Sequence, residues 1–358
     1  MRMHLHIPLS LILSACVTIF ATRVCIYLLR PVAMRIGLID TPGGRKMHEQ
    51  TMPLIGGIAI FMGFCFSLLG LDISLRGYRG LLAGSAILIL IGVMDDFREL
   101  RPRVRLIGQC LAALMLIQTG QLSIAHLGNL FFFGDVNLGV WSFVITVLFV
   151  LSFVNAVNLI DGIDGLAGGV ILGQGLLLLI ISKSFHAILS GYVLLLFLVA
   201  VSVFLAYNFP LPWRRRALVF LGDAGSTFLG FVIAWFAVTL SQATVLHVYM
   251  KYNPVTILWV IAFPLLDLLS VVFHRLRTGN SPFLPNRDHL HFLLIDLGLS
   301  PSIISISLVV FSFCLGLIGM LFAHALVSES WQALSFIFLA LFYLSMTSVL
   351  KCKVAIKI

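Results

Sequence analysis

The sequence predicts an all-α polytopic membrane protein with about eleven transmembrane helices. Hydrophobic residues make up 60% of its 358 positions and charged residues only 10%, against roughly 25% charged residues in water-soluble domains. The apolar stretches are long and continuous, and about 20 such residues cross a bilayer as a helix. Backbone polar groups in lipid must pair internally, so helices are expected for these continuous stretches.

Eleven apolar stretches are bounded by charged or turn-forming residues. We expect spans near 8–29, 54–71, 79–94, 104–121, 138–157, 166–182, 187–207, 218–240, 254–273, 301–323 and 331–350. A cleaved signal is the alternative for the first stretch, because the segment ending at Cys16 suits a lipoprotein cleavage site. Apolar character continues to Leu29, however, which is long enough to span. Residues 1–358 are then one membrane domain.

Basic residues set the expected orientation. Seventeen of the 23 Lys and Arg residues fall on one predicted face and five on the other. Because Lys and Arg in short loops favour the cytosolic side, the N-terminus is predicted to lie outside and the C-terminus in the cytosol. The net charge of +9 is therefore a topology signal. A nucleic-acid-binding protein would need a basic soluble domain, which the sequence lacks.

The 14 acidic residues are unevenly placed, with eleven at the predicted cytosolic face. Acidic residues contribute little to topology, so their clustering predicts a functional site. We expect it to be built from loops near residues 30–53, 95–105, 155–166, 208–226 and 274–300. The six cysteines show no CxxC spacing, so neither a zinc site nor a disulfide framework is predicted.

Two acidic motifs end predicted spans. Asp95 and Asp96 close the third, where adjacent carboxylates repel each other and lose solvation. A cation or a metal-bound phosphate would relieve that repulsion, whereas a simple interfacial charge pair is the alternative. Asp161 and Asp164, in the sequence DGIDG, follow the fifth span and would share one face of a helical turn. An ordinary turn explains one Asp-Gly pair better than it explains two.

Two further motifs suit phosphate groups. The segment Gly222-Asp223-Ala224-Gly225-Ser226 opens the eighth span, where free N–H groups would bind phosphate oxygens beside an Asp223-held Mg²⁺; an ordinary N-cap is the alternative. After the ninth span, His289 and His291 share a face if the loop is extended. Phosphate binding together with Arg287 is favoured over zinc, because no Cys or third His completes a ligand set. A solvated loop is the alternative.

Other polar residues lie at the same predicted face. Lys46 and His48 precede the second span and add positive charge, which topology alone would also explain. Asp267 lies about two turns inside the ninth span, and an acid at membrane depth is a functional candidate by default. We expect Asp267 to support the site, with pairing to Arg275 or to backbone donors as the alternative.

In their order along the chain, these motifs resemble those of the bacterial polyprenyl-phosphate N-acetylhexosamine-1-phosphate transferases. The resemblance runs from about residue 30 to 300 and comprises RKxH before PLxGG, the Asp pair, NxxNxxDGIDG, GDAGS and the histidine loop. It is closest to the undecaprenyl-phosphate GlcNAc-1-phosphate transferases that begin O-antigen, enterobacterial common antigen or teichoic acid synthesis. That family has about eleven helices and a cytosolic active site, as expected here from the apolar stretches and from the charge count respectively. The resemblance implies a bacterial inner membrane, so the N-terminus would be periplasmic.

The resemblance implies transfer of an N-acetylhexosamine-1-phosphate, GlcNAc-1-phosphate first, from a UDP-sugar to undecaprenyl phosphate with release of UMP. It implies Mg²⁺ as cofactor, with Mn²⁺ as a substitute. Asp164 and Asp223 would be metal ligands, and Asp95, Asp96 and Asp161 catalytic residues, the first two facing the lipid phosphate. The implied substrate-binding residues are Lys46, His48, Arg103, Arg105, Asn158, Asn208, Arg287, His289 and His291.

One departure concerns the sugar. Phe292 stands where the family signature HxHH has its last histidine, so that role is absent or supplied elsewhere. GalNAc, FucNAc and QuiNAc therefore stay open, as do an aspartyl-phosphate intermediate and a homodimer. A lipid or anion transporter is the rival function, but its ionisable groups would lie near the midplane of repeated halves. A non-catalytic scaffold would leave the acidic cluster unexplained.

Overall fold

A computed structural model describes residues 8–41, 51–184, 187–210, 217–243, 252–279, 281 and 288–357. Lys46, His48 and Arg287, which the sequence assigns to substrate binding, lie outside these ranges. The helices are α1 (Leu9–Ile36), α2 (Gly56–Leu69), α3 (Arg79–Phe97), α4 (Pro102–Gln118), α5 (Ser142–Ile160), α6 (Leu166–Ser184), α7 (Ile188–Asn208), α8 (Gly222–Ala243), α9 (Pro254–Val260), α10 (Ala262–Arg277), α11 (Leu290–Asp296), α12 (Pro301–His324) and α13 (Glu329–Lys357). Two short strands, β1 (Ile39–Asp40) and β2 (Met52–Pro53), and two 3₁₀ turns complete the described elements.

The chain is an all-α polytopic membrane protein. Within the described ranges, eight helical segments are long and apolar enough to cross a membrane, and nine if the bent pair α9–α10 is one span. Helix α2 is apolar but has only 14 residues, and α4 has 17. The predicted total of eleven spans and the predicted orientation therefore stay predictions.

The ninth predicted span is broken. Helices α9 and α10 meet at an angle of 77°, on either side of Ile261. Pro264 follows in the first turn of α10 and has no N–H to donate to the Val260 carbonyl, so a continuous helix would lose a hydrogen bond there. The bend lays α10 against α5 and α13, which places Asp267 next to the last span.

Helix α8 is the buried centre of the fold, packed against α2, α3, α5 and α6. At its first turn the neighbouring backbones approach very closely. A Cβ on Gly57 of α2 would overlap the backbone of Gly225, and a Cβ on Gly92 of α3 would overlap that of Ala224. Small residues allow such approach between membrane helices, and here they bring three helix ends together.

The segment before α2 also reaches α8. Strands β1 and β2 pair antiparallel, with Ile39 opposite Pro53. The Phe220 N–H donates to the Pro53 carbonyl at 3.0 Å, and the Gly56 N–H donates to the Phe220 carbonyl at 2.9 Å. The PLxGG sequence is therefore tied to the chain that leads into the GDAGS motif.

Candidate active site

The two adjacent acids of α3 point to different partners. Arg98–Arg101 connects α3 to α4, and Pro102 occupies the first turn of α4. Asp95 is buried, and its carboxylate accepts from the Leu100 N–H at 2.6 Å and from Arg105 Nη1 at 3.1 Å. One wall of the site is thus a carboxylate–guanidinium pair that joins the ends of α3 and α4.

Asp96 instead caps the N-terminus of α8. Its carboxylate accepts from the Asp223 N–H at 2.8 Å and from the Ala224 N–H at 3.3 Å. A negative charge is favoured at a helix N-terminus, and Gly222, at φ +75°, leaves room for the carboxylate to approach. The expectation that these N–H groups bind substrate phosphate is therefore wrong in this structure, because Asp96 occupies them.

Asp223 lies beside the Asp95–Arg105 pair. Its Oδ1 accepts from Asn158 Nδ2 at 2.7 Å, and its Oδ2 is 3.8 Å from Arg105 Nη1. Asn158 also donates to Ser226 Oγ at 2.8 Å, which fixes the orientation of its amide. The Asp223 side chain remains 38% exposed, so one carboxylate edge is accessible for a ligand.

The DGIDG segment is a turn between α5 and α6. Residues 161–165 are not helical, so the predicted sharing of one helical face by its two acids is wrong. Gly165 adopts φ +77° and its N–H donates to Asn208 Oδ1 at 2.8 Å. Asp164 accepts from the Ala217 N–H at 3.2 Å. These bonds attach the turn to the end of α7 and to the segment that precedes α8.

Asn208 holds two parts of this site together. It is buried, and its Nδ2 donates to the Val219 carbonyl at 3.0 Å while its Oδ1 accepts from Gly165. Both ends of its amide are engaged with backbone, so the structure gives it a framework position; its predicted contact with substrate stays a prediction. Arg103, by contrast, is exposed on α4.

The histidine loop reaches the DGIDG turn. Leu290–Asp296 forms α11 with His289 as its N-cap residue, so the extended loop expected there is wrong beyond His289. The two imidazole rings nevertheless stack, with centroids 6.0 Å apart and planes 17° apart. The His291 ring lies against Gly162, where a Cβ would overlap its Nε2. Phe292, in place of the family histidine, packs against His291 with ring centroids 4.1 Å apart.

Asp267 does not pair with Arg275. Its carboxylate binds His289 Nδ1 at 2.7 Å and accepts from the Leu290 N–H at 3.0 Å and the Tyr343 hydroxyl at 3.1 Å. The Nε of Arg275 lies 3.9 Å from Asp288. The alternative prediction, that Asp267 pairs with backbone donors, is correct for the Leu290 N–H. The other two partners are side chains, and all three lie at α11 or on α13.

A small cavity of ≈ 40 Å³ continues from the carboxylates between the helices, and its lining includes a pair that sequence reasoning missed. Gln109 Nε2 donates to Asn155 Oδ1 at 3.2 Å, and Asn155 Nδ2 donates to Gln109 Oε1 at 2.7 Å. A signal was present, since Asn155 is the first Asn of NxxN and Gln109 lies one helical turn after Arg105.

Comparisons with known proteins identify the family of the chain. A family model described as glycosyl transferase family 4 matches residues 78–241. A Yersinia pestis undecaprenyl-phosphate alpha-N-acetylglucosaminyl 1-phosphate transferase is 32% identical over 88% of this chain and 85% of its own. The chain belongs to glycosyl transferase family 4. Proteins named alike from Haemophilus influenzae and Escherichia coli K12 are 36% and 31% identical, over 80% and 90% of this chain and 80% and 86% of theirs.

The acids of this family 4 transferase suit a hard divalent cation. Among the described residues, no group of three His, Cys, Asp or Glu could hold a metal ion by itself. Mg²⁺, however, usually takes one or two carboxylates together with substrate phosphates and water. Burial raises the pKa of Asp161 to about 8, and the negative charges of Asp223, Asp164 and Asp96 add to the effect. Such crowding of carboxylates favours a bound cation.

The raised pKa of Asp161 gives a pH prediction. Its folded-state value of about 8 exceeds the roughly 3.9 of an unfolded chain, so folding takes up a proton between these values. Without metal, stability should therefore fall as pH rises through that window. Ionised Asp161 adds a negative charge beside the proposed metal carboxylates, so Mg²⁺ affinity should rise with pH up to about pH 8 and then level off.

Thermal unfolding at a series of Mg²⁺ concentrations, from about pH 6 to about pH 9, measures this dependence. Asp161→Asn cannot ionise and should weaken the dependence near pH 8, while the neighbouring carboxylates Asp96 and Asp223 keep the part at lower pH. An equally steep dependence in that variant would assign the proton to another group.

Proposed function

We propose that the enzyme transfers GlcNAc-1-phosphate from UDP-GlcNAc to undecaprenyl phosphate and releases UMP. The reaction would be the first membrane step of O-antigen or related cell-surface polysaccharide synthesis. The names of its relatives support undecaprenyl phosphate as the acceptor and N-acetylglucosaminyl 1-phosphate as the transferred group. The observation that carries the proposal is the convergence of Asp95, Arg105, Asn158 and Asp223 at adjoining ends of α3, α4, α5 and α8.

The first chemical requirement is charge neutralisation, because a lipid phosphate must approach a diphosphate. Asp223 and Asp164 would hold Mg²⁺ in this proposal, and the cation would supply positive charge to the phosphate oxygens. Arg105 supplies the rest. Its guanidinium has five N–H donors, is 42% exposed, and contacts Asp95 through Nη1. Asp95 therefore positions the Arg105 guanidinium, whose other N–H donors are available to a phosphate.

The second requirement is in-line displacement. A lipid phosphate oxygen attacks the β-phosphorus of the UDP-sugar and forms the new P–O bond. The bond from that phosphorus to the bridging oxygen breaks, and UMP leaves with the electron pair. Positioning and electrostatics dominate such transfers. Because Asp95 is occupied by Arg105 and Leu100, direct attack by the lipid phosphate is favoured over an aspartyl-phosphate intermediate.

The site is proposed to face the cytosol of the inner membrane, with the N-terminus periplasmic. The support is the seventeen-to-five distribution of Lys and Arg over the two predicted faces. The carboxylate site lies at the end of α3 and the start of α8, the ends expected on the basic face.

A reconstitution with purified protein tests the reaction. The protein in detergent is given undecaprenyl phosphate and a panel of UDP-N-acetyl amino sugars, with Mg²⁺, with Mn²⁺ and without metal. We expect metal-dependent UMP release and a lipid product with the mass of undecaprenyl-diphospho-GlcNAc. If lipid product forms with another UDP-sugar only, that sugar is the donor instead of UDP-GlcNAc. An absence of UMP with every sugar would refute the proposal, whereas steady release without two compartments speaks against a transporter.

A further inference from the structure

A buried chain of contacts links the last span to the DGIDG turn. Asp267, in α10, is 1% exposed and has three hydrogen-bond partners, two at the start of α11 and one on α13. The Leu290 N–H and the Tyr343 hydroxyl both meet Oδ1, and His289 Nδ1 meets Oδ2. The bend before α10 gives the side chain this place between α11 and α13. With 1% exposure, its carboxylate is shielded from direct contact with the reactants.

An ionised carboxylate only accepts hydrogen bonds, and the donors around Asp267 suit that form. In such a bond the hydrogen of His289 resides on Nδ1, which fixes the tautomer and the plane of the ring. The His289 ring is buried and stacks at 17° on His291. The His291 ring in turn lies over Gly162. The orientation set at Asp267 is therefore passed by ring contact to the turn that carries Asp161 and Asp164.

The obvious rival is a purely structural bond that holds three helices together. A buried ion or ion pair is weak evidence for stability, and a Tyr hydroxyl with a backbone N–H would satisfy a neutral Asn equally well. An Asn at this position, however, has no full negative charge with which to accept the hydrogen bond from His289 Nδ1. The two explanations therefore differ in what the conservative substitution does to His289.

We propose that Asp267 is a positioning residue of the transfer reaction. It holds His289 in the Nδ1–H tautomer, keeps His291 over Gly162, and ties the histidine loop to α13 through Tyr343. The inference rests on the proposed function and on the prediction that His289 and His291 bind the phosphates of the donor. It assigns part of donor binding to the last span, which lies outside the segment 78–241 that the family model matches.

Steady-state kinetics of Asp267→Asn test the role. Loss of such a supporting partner typically costs about 10–100-fold, and we expect a fall of that size in kcat/KM for the UDP-sugar. The KM for undecaprenyl phosphate should be unchanged. Tyr343→Phe should give a smaller fall for the same substrate. Ser270→Ala is the matched control, because its buried hydroxyl bonds only the Asp267 backbone carbonyl, at 2.8 Å, and should leave activity near wild type.

A double-mutant cycle separates positioning from scaffolding. If Asp267 acts through His289, the double variant Asp267→Asn/His289→Gln should be no less active than His289→Gln alone. Losses that multiply in the double variant would overturn the proposal. So would an Asp267→Asn variant whose two KM values rise together in proportion to a lower melting temperature.

The tautomer itself is measured by ¹⁵N NMR of histidine-labelled protein, with His289→Gln identifying the signal of that ring. We expect the Nδ1–H form in the wild type and its loss in Asp267→Asn. An unchanged His289 signal would overturn the inference even if the enzyme is active. If the wild type makes no lipid product from any UDP-sugar, the proposed function fails by itself, and the tautomer result still decides whether Asp267 sets His289.

Discussion

Asp223→Asn should insert into the membrane and release UMP at least roughly 10³-fold more slowly than the wild type, a loss of about 4 kcal/mol of transition-state stabilisation. Asp223 combines an accessible carboxylate edge with fixed orientation by Asn158. An amide at this position is neutral, and Mg²⁺ prefers charged oxygen ligands beside substrate phosphates. Release of UMP in detergent, at several Mg²⁺ concentrations, measures the loss.

The matched control for that substitution is Asp135→Asn. Asp135 is half-exposed in the loop between α4 and α5 and pairs with His126 at 2.6 Å, and this loop carries none of the motif acids. It should retain wild-type activity. A rate for Asp223→Asn above about a tenth of the wild type would contradict the metal assignment, since removal of a metal ligand cannot cost so little in this mechanism.

Asp96→Ala should unfold more easily and lose roughly 10² in rate, whereas Asp96→Asn should lie between it and the wild type. The alanine variant removes a cap of the kind worth about 1–2 kcal/mol and leaves the Asp223 and Ala224 N–H groups without their acceptor. The first turn of α8 carries Asp223, so its displacement lowers activity. The asparagine variant keeps one acceptor oxygen for these donors.

This pair of variants separates capping from acid–base catalysis. A catalytic Asp96 predicts that Asn and Ala variants are equally inactive and melt like the wild type. A capping Asp96 predicts graded activity that follows the melting temperature. Thermal unfolding of detergent-purified protein, together with UMP release at saturating substrates, gives both numbers for each variant.

Hydrophobic runs predict the positions of many helices well, because a segment that crosses a membrane must be apolar over its own length. The stretch predicted at 166–182 is α6, Leu166–Ser184, and that at 187–207 is α7, Ile188–Asn208. The prediction failed where tertiary geometry decides, as at the 77° break between α9 and α10. Pro264 was a local signal for that break, but neither its angle nor its direction follows from sequence.

The sequence motifs predict most of the polar residues of the site. They do not predict which of these residues form hydrogen bonds with each other. Asp96 accepts from backbone N–H groups 127 and 128 positions away in sequence, and the identity of a side chain does not reveal which backbone N–H groups will be near it. Proximity in sequence favours Arg275 as the partner of Asp267. The observed partner, His289, lies 22 residues further along the chain, after α10. The spacing of the two acids in DGIDG predicts one helical turn, but residues 161–165 are not helical in the structure.

The close approach of α2 and α3 to the first turn of α8 has a consequence for accuracy. Where Gly57 meets Gly225, and where Gly92 meets Ala224, backbone touches backbone and no side-chain torsion lies between them. Such a contact has no rotamers to populate and little room to compress. Reacting atoms must be held within about 3–3.5 Å of each other. Rigid joints that lack rotameric freedom hold the helix ends carrying Asp95, Asp96 and Asp223 in one relative position.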